Sequence, residues 1–401
     1  MSEKKQQSVT MPEISNQNES FGVYTFTMSN CNVSIANAIR RTLITDIPCV
    51  CFNVNGLNEK KDELTSIKIF ENTTSFNNEI LRQRLACIPV HIKEFEKTPI
   101  DNLYIEIDEE NKTDSMQYIT TKDFKIYDAN TNRELSKAKR DEIFPADSIT
   151  GDHILFARLK PSISKTIPGQ KLKLKCKLQV STAKHNGQFN VCCTSAYSNT
   201  IDPSKQQDAW SKEEERLRTL FQNSSGVVNG ETKGILSQKE QENMLEEAKD
   251  DWFLHDSKRY FKKNSFDFKI ETSSVYTNEE LIKNACMVLM VRLTKFMEDV
   301  EKFRYIPDTT NVEHSFDIEM PEYSYTIGKV IEFLLNELYF KKQNIFSYVG
   351  FVKKHPHDNF SVIRIIFNDG ERSNQENIKI LLKSAATTAT EIFDGINRSF
   401  V

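Results

Sequence analysis

The sequence predicts an α+β protein in which a β-α-β-β-α unit occurs twice, the first copy interrupted by a mainly-β insert. Three observations predict it. Two helical stretches share the same apolar spacing. Each lies the same distance behind an alternating strand. Each copy then closes on a second strand and a long amphipathic helix that opens with a capping-box pattern.

The elements follow in chain order. Residues 1–20 are polar and carry no apolar signal core, so they read as a disordered tail. Residues 23–28 read as a strand. A helix follows over 33–46, with Ile35, Ala36, Ile39 and Leu43 on one face, and Pro48 ends it. Residues 49–54 read as the next strand. In the last ninety or so residues Phe316, Ile318 and Met320 alternate as a strand, and Ile327, Gly328, Ile331 and Leu335 mark a helix face. Both faces follow i, i+1, i+4, i+8. Phe26 precedes Ile35 by nine positions, as Ile318 precedes Ile327. Strands are predicted over 346–352 and 362–367, around a loop holding His355-Pro356-His357. Asn368-Asp369-Gly370 is a turn signal. The last helix starts at Ser373, with Glu376 completing a capping box, and carries Ile378, Leu381, Leu382, Ala385, Ile392 and Phe393. The first copy reaches the same order only across an insertion. Its last strand is 266–272 and its closing helix 278–300, opened by Thr277 and Glu280, with Ile282, Ala285, Leu289, Leu293 and Phe296 on one face.

This divides the chain into a first unit (21–54 with 264–300), a β-rich insert (55–201), a charged helical insertion (205–263), a linker (301–312) and a second unit (313–401). In the insert, residues 171–178 alternate Lys with apolar residues, giving a strand with one buried and one basic face. The basic face is either a solvated edge or a surface for nucleic acid or acidic protein. Residues 208–263 are rich in Lys, Glu and Gln, and Ser211 with Glu214 and Ser237 with Glu240 resemble two helix starts.

Composition excludes several functions. Lys and Arg number 53 against 57 Asp and Glu, a formal net charge of -4, so the chain is not a basic coat for nucleic acid. The apolar run 285–291 ends at Arg292, too short to span a bilayer, so no membrane association is expected and the protein is expected inside the cell. The eight cysteines (Cys31, Cys49, Cys51, Cys87, Cys176, Cys192, Cys193 and Cys286) lack zinc-ligand spacing and fit reduced thiols in apolar patterns, so no metal or cofactor is expected. No nucleophile elbow or Gly-rich phosphate loop occurs, and His355 with His357 lacks a third ligand, so no catalytic residue is assigned.

The most informative string is Asn37-Ala38-Ile39-Arg40-Arg41, followed by Ile47-Pro48. An apolar helix face flanked by two guanidinium groups suits docking on another protein, since Arg makes bidentate contacts to carboxylates and carbonyls. Further on stand Asn72-Thr73-Thr74, Glu79 and Gln83-Arg84-Leu85-Ala86-Cys87-Ile88-Pro89. These two blocks, in this order, resemble the RNA polymerase alpha-like family, which comprises the bacterial alpha N-terminal domain and subunit three of archaea and eukaryotes. Gln83 stands where the family has His, and Ala86-Cys87 where it has Gly-Leu. Tyr325-Thr326-Ile327-Gly328-Lys329 and His355-Pro356 resemble the partner of that subunit, number eleven in eukaryotic polymerase, with Tyr325 for His and Lys329 for Asn.

The resemblance implies two alpha-subunit-type dimerisation modules and a non-catalytic platform that pairs them and docks the largest and second-largest subunits of a DNA-directed RNA polymerase, alongside smaller subunits. DNA would be met only through the complex. It implies partner contacts at Asn37, Arg40, Arg41 and Arg84. It implies intrachain pairing through Ile35, Ile39, Leu43, Ile282, Leu289, Ile327, Ile331, Leu335, Leu338 and Leu382, without homo-oligomers. A fusion of this kind resembles the polymerases of large nucleocytoplasmic DNA viruses, which implies host cytoplasm and virion, or alternatively the nucleus. The competing expectation is a stand-alone nucleic-acid-binding or transcription-factor-docking protein with the same fold.

Overall fold

The computed structural model describes residues 10–54, 67–164, 166–223, 227–228, 231–232, 238–308 and 312–400. The chain opens on a hairpin of β1 (Glu13–Ser20) and β2 (Val23–Ser29). Its turn residues Phe21 and Gly22 both have positive φ, 50° and 76°, the two-residue geometry that matches strand twist. α1 (Val33–Thr45) follows, capped by Asn32, whose side chain accepts from the Ser34 N–H. The insert holds β3 (Cys49–Phe52), β4 (Lys68–Asn72), α2 (Asn78–Ala86), β5 (Leu103–Glu110), β6 (Gln117–Thr120), β7 (Lys125–Asp128), β8 (Arg133–Glu134), α3 (Lys137–Ile143), β9 (Leu155–Leu159) and β10 (Lys171–Ser181). Next come β11 (Cys192–Ile201), α4 (Pro203–Asn223), β12 (Val227–Val228), β13 (Glu231–Thr232), α5 (Gln238–Leu254), β14 (Phe261–Thr272) and α6 (Asn278–Asp299). The last unit comprises β15 (Arg304–Asp308), β16 (Ser315–Pro321), α7 (Tyr325–Leu335) with a π-helical extension Asn336–Lys342, β17 (Phe346–Val352), β18 (Phe360–Phe367) and α8 (Gln375–Arg398).

Two four-stranded antiparallel sheets have the same order: β1-β2-β14-β11 and β15-β16-β18-β17. The α+β class therefore holds, but each unit is β-β-α-β-β-α. The extra strand falls in segments expected to be unstructured. Residues 13–20 were expected in a tail and 304–308 in a linker, and both are edge strands. An edge strand is held by backbone hydrogen bonds to one neighbour, so it needs no apolar alternation. β1 is almost wholly exposed, and β15 contains Pro307, which an edge tolerates because one side of the strand has no ladder to feed.

The first unit is also interrupted twice rather than once. Residues 49–54 were expected in its sheet, yet β3 pairs with β10 of the insert, and the unit's remaining strand is β11, expected inside the insert. All four residues of β3 are buried, which marks a strand without saying which sheet it joins. The two interruptions are the β insert after α1 and the α4–α5 pair between β11 and β14. α4 begins at Pro203, a residue suited to the first helical turn, not at Ser211. Ser237 lies outside the described residues. Trp210 of α4 is buried against Trp252 and Phe253 of α5.

The Thr277–Glu280 capping box forms, with reciprocal bonds of 3.2 and 2.8 Å. The expected Ser373 box does not. α8 starts two residues later, capped by Asn374, whose side chain accepts from the Asn377 N–H at 2.8 Å. One apolar core runs through both units, and a second fills the insert around the sheet β3-β10-β5-β7-β8.

Candidate subunit interface

The shared core is built by four helices. α1 packs on α7 and α6, and α6 packs on α8. Ile35, Ile39, Leu43, Ile282, Leu289, Ile327, Ile331, Leu335 and Leu382 are all buried in it, and Leu338 packs half-buried at its margin. Each such side chain contributes roughly 1.5–3 kcal/mol when fully removed from water. The ends of the helices reach across to the opposite unit. Phe400, just past α8, sets its ring edge-on to Phe26 of β2 at 5.1 Å, and Phe296 of α6 meets Tyr323, beside α7, at 5.2 Å. Polar contacts join the same elements. Arg41 Nε donates to Thr326 Oγ1 at 2.9 Å, the Tyr323 hydroxyl donates to Asp299 at 2.9 Å, and Lys383 donates to Glu301 at 2.6 Å. The Lys302 ammonium and the Tyr323 hydroxyl hold the Asp299 carboxyl below its usual range. Within the first unit, Arg292 of α6 grips Asp46 at the end of α1 through two bonds of 2.7 and 2.8 Å; the Asp46 side chain is only 7 % exposed.

The four residues expected to bind partners occupy three settings. Asn37 and Arg40 share the half-buried outer side of α1, where Arg40 Nε donates to Asn37 Oδ1 at 2.9 Å. That bond aligns the guanidinium along the helix. Arg41 is turned into the junction with the second unit. Arg84 belongs to α2 of the insert, where its guanidinium donates to the carbonyls of Phe156 and Leu155 on β9 at 2.7 Å each and lies over the Phe76 ring. On α7, the positions matching Asn37 and Arg40 are Lys329 and Glu332, which pair with each other at 2.6 Å. The two outer helix faces therefore differ in charge.

The basic face of β10 meets acidic neighbours. The register sets Lys171, Lys173 and Lys175 opposite Glu110, Asp108 and Glu106 of β5. Lys171 also pairs with Glu71 at 3.0 Å, Lys173 pairs with Asp108, and the Lys175 ammonium sits 3.5 Å from the centre of the Tyr104 ring. Cross-strand pairing of this kind satisfies the lysines within the sheet. Burial pushes the thiols of Cys31 and Cys286 up to about 12, so these cysteines act as packing groups. Among the described residues no group of three or more His, Cys, Asp or Glu side chains is arranged to hold a metal ion.

The sequence carries no local mark of the Asp46–Arg292 pair inside the first unit or of the Thr326 contact across the junction. In each case the two partners lie more than two hundred positions apart.

Residues 25–293 match the family described as the RNA polymerase Rpb3/Rpb11 dimerisation domain. Similar proteins include a conjugation stage-specific protein of Tetrahymena thermophila, 23 % identical over 69 % of this chain and 91 % of its own length. The DNA-directed RNA polymerases I and III subunit RPAC1 of Homo sapiens is 21 % identical over 69 % of this chain and 81 % of its own. The DNA-directed RNA polymerase subunit Rpo3 of Pyrococcus horikoshii is 22 % identical over 69 % and 93 %. With the family match covering well over half of its residues, this chain belongs to the RNA polymerase Rpb3/Rpb11 dimerisation family.

Proposed function

We propose that the chain is a non-catalytic assembly subunit of a multi-subunit DNA-directed RNA polymerase, with a subunit-three-like and a subunit-eleven-like module fused in one polypeptide. One observation carries this reading: two units of identical strand order share a single core through α1, α6, α7 and α8, in a chain of a family defined by such pairing. The relatives named as polymerase subunits support it. In this reading the first module docks the second-largest polymerase subunit through Asn37 and Arg40, and the second docks the largest through the outer face of α7. Different charges on the two faces would keep the two partners apart. Arg84 acts from behind by fixing β9, while Arg41 holds the second module through Thr326 and also lines the space between the two units. The fusion would serve a large nucleocytoplasmic DNA virus in host cytoplasm and virion; finding the protein only in the nucleus would count against that part.

Co-expression with the two largest subunits tests the docking role. Arg40→Glu should lose the second-largest subunit while keeping the largest and leaving the melting temperature within a degree or two of wild type. Retention of both subunits by this variant would remove Arg40 from the contact.

A further inference from the structure

A cleft of about 830 Å³ opens where the two units and the insert meet. The first unit supplies Arg41, Asp46 and Arg292, the segment leaving β10 supplies Lys184, and the second unit supplies Lys353 and Asp358. Lys184 is fixed there by its own backbone, whose N–H donates to the Thr45 carbonyl at the end of α1 at 3.0 Å. Tyr323 and Ile327 add apolar surface to one wall.

The charges in this cleft do not balance. Asp46 is fully engaged by Arg292. Asp358 accepts from the backbone N–H of His355 at 2.9 Å, and among the described residues Glu322 forms an ion pair with Lys295 alone, at 3.9 Å. Among the described residues Arg41, Lys184 and Lys353 form no ion pair, although they come from three separate parts of the chain and face one space. Gathering like charges costs free energy that an occupant of opposite sign recovers.

The shape of the charge selects the occupant. A nucleic-acid strand carries one phosphate per nucleotide and would bring that continuous charge against Glu322 and Asp358. A peptide with a few carboxylates can set them on the three cations and turn its other side chains toward those acids. Resting on the reading of this chain as a polymerase assembly subunit, we infer that the cleft receives an acidic peptide segment of a large polymerase subunit, whose Asp or Glu side chains pair with Arg41, Lys184 and Lys353.

The test uses the full chain and the two largest polymerase subunits of the same organism. Lys184→Glu/Lys353→Glu reverses two of the cations and leaves Arg41 at its junction; Lys184→Gln/Lys353→Gln only neutralises them. Lys184 is exposed and Lys353 half-buried, and a thermal melt checks that each variant is folded. The Glu pair should weaken binding to the large subunits by roughly tenfold or more and flatten its salt dependence, with the Gln pair between it and wild type. A photo-cross-linker placed at Asn359, on the cleft rim, should label an Asp/Glu-rich segment of one large subunit. If wild type binds the large subunits and the Glu pair binds as tightly, the acidic-segment inference falls and the assembly role stands. A cross-link to nucleic acid or to a basic segment overturns it equally. If wild type binds neither large subunit, both readings fall together.

Discussion

Gly328 lies on the α7 face that packs against β17, and replacing it with alanine sets two effects of opposite sign against each other. A β-carbon built there would sit 2.0 to 2.4 Å from three ring atoms of Phe351, where carbon contacts normally lie at about 3.5–4.0 Å. Alanine gains about 1 kcal/mol over glycine in a helix interior. Overpacking a filled core costs about 1–3 kcal/mol. The upper end applies, because the Phe351 ring is only 6 % exposed and already stands edge-on to Tyr325 at 5.2 Å, so it has little room to retreat. Gly328→Ala should therefore destabilise the chain by about 1–2 kcal/mol net. The measurement is urea unfolding of the full chain, with hydrogen exchange reporting faster opening of α7 and β17 first. Adding Phe351→Leu, which removes the clashing ring, should recover part of the loss and give a coupling energy of about 1 kcal/mol. If Gly328→Ala were as stable as wild type or more so, with exchange in β17 unchanged, helix propensity would have won and the close approach of α7 to β17 would be wrong.

Removing Arg292 by Arg292→Ala leaves the Asp46 carboxylate buried without its two charged hydrogen bonds, at a cost of about 3 kcal/mol; a urea midpoint moved by less than the equivalent of about 0.5 kcal/mol would show that the pair is surface-like. Adding Asp46→Asn should restore part of the loss, since it takes away the stranded charge. Alkaline pH should destabilise the fold. Burial pushes Cys192 up to about 11, and Cys31, Cys286 and Tyr276 up to about 12. A raised folded value means the native state holds protons that the unfolded chain releases, so this stability is complete below the usual thiol range and drains away as pH climbs through 11 to 12. The urea midpoint should fall between pH 7 and pH 10, and less so in a Cys31→Ala/Cys286→Ala variant. Equal midpoints at the two pH values would contradict the burial of these groups.

Much of the fold was legible because most of its elements announce themselves through apolar period. Phe26, Ile35 and Leu43, and their counterparts Ile318, Ile327 and Leu335, place a strand and a helix of each unit without any long-range information. The edge strands β1 and β15 escaped because their cohesion lies in backbone pairing, which leaves no mark on side-chain chemistry. The exchange of β3 for β11 escaped for another reason: the Cys49-Val50-Cys51-Phe52 run says strand, but only the β10 partner, more than a hundred positions later, decides the sheet. The geometry around the candidate interface was legible in part. Asn37 and Arg40 were found as a polar flank beside an apolar helix face. That Arg41 instead spans to Thr326, and that Arg84 serves the carbonyls of β9, depends on how the units and the insert close in space.

In the proposed assembly, two pairing modules in one chain form the platform on which the large polymerase subunits gather. Native mass spectrometry of the chain purified after co-expression with the two largest subunits tests it most directly. The expected species is a complex holding one copy of each large subunit and a single copy of this chain, whose two modules pair with each other. Two copies of the chain exchanging modules, or a chain recovered with neither large subunit, would contradict it.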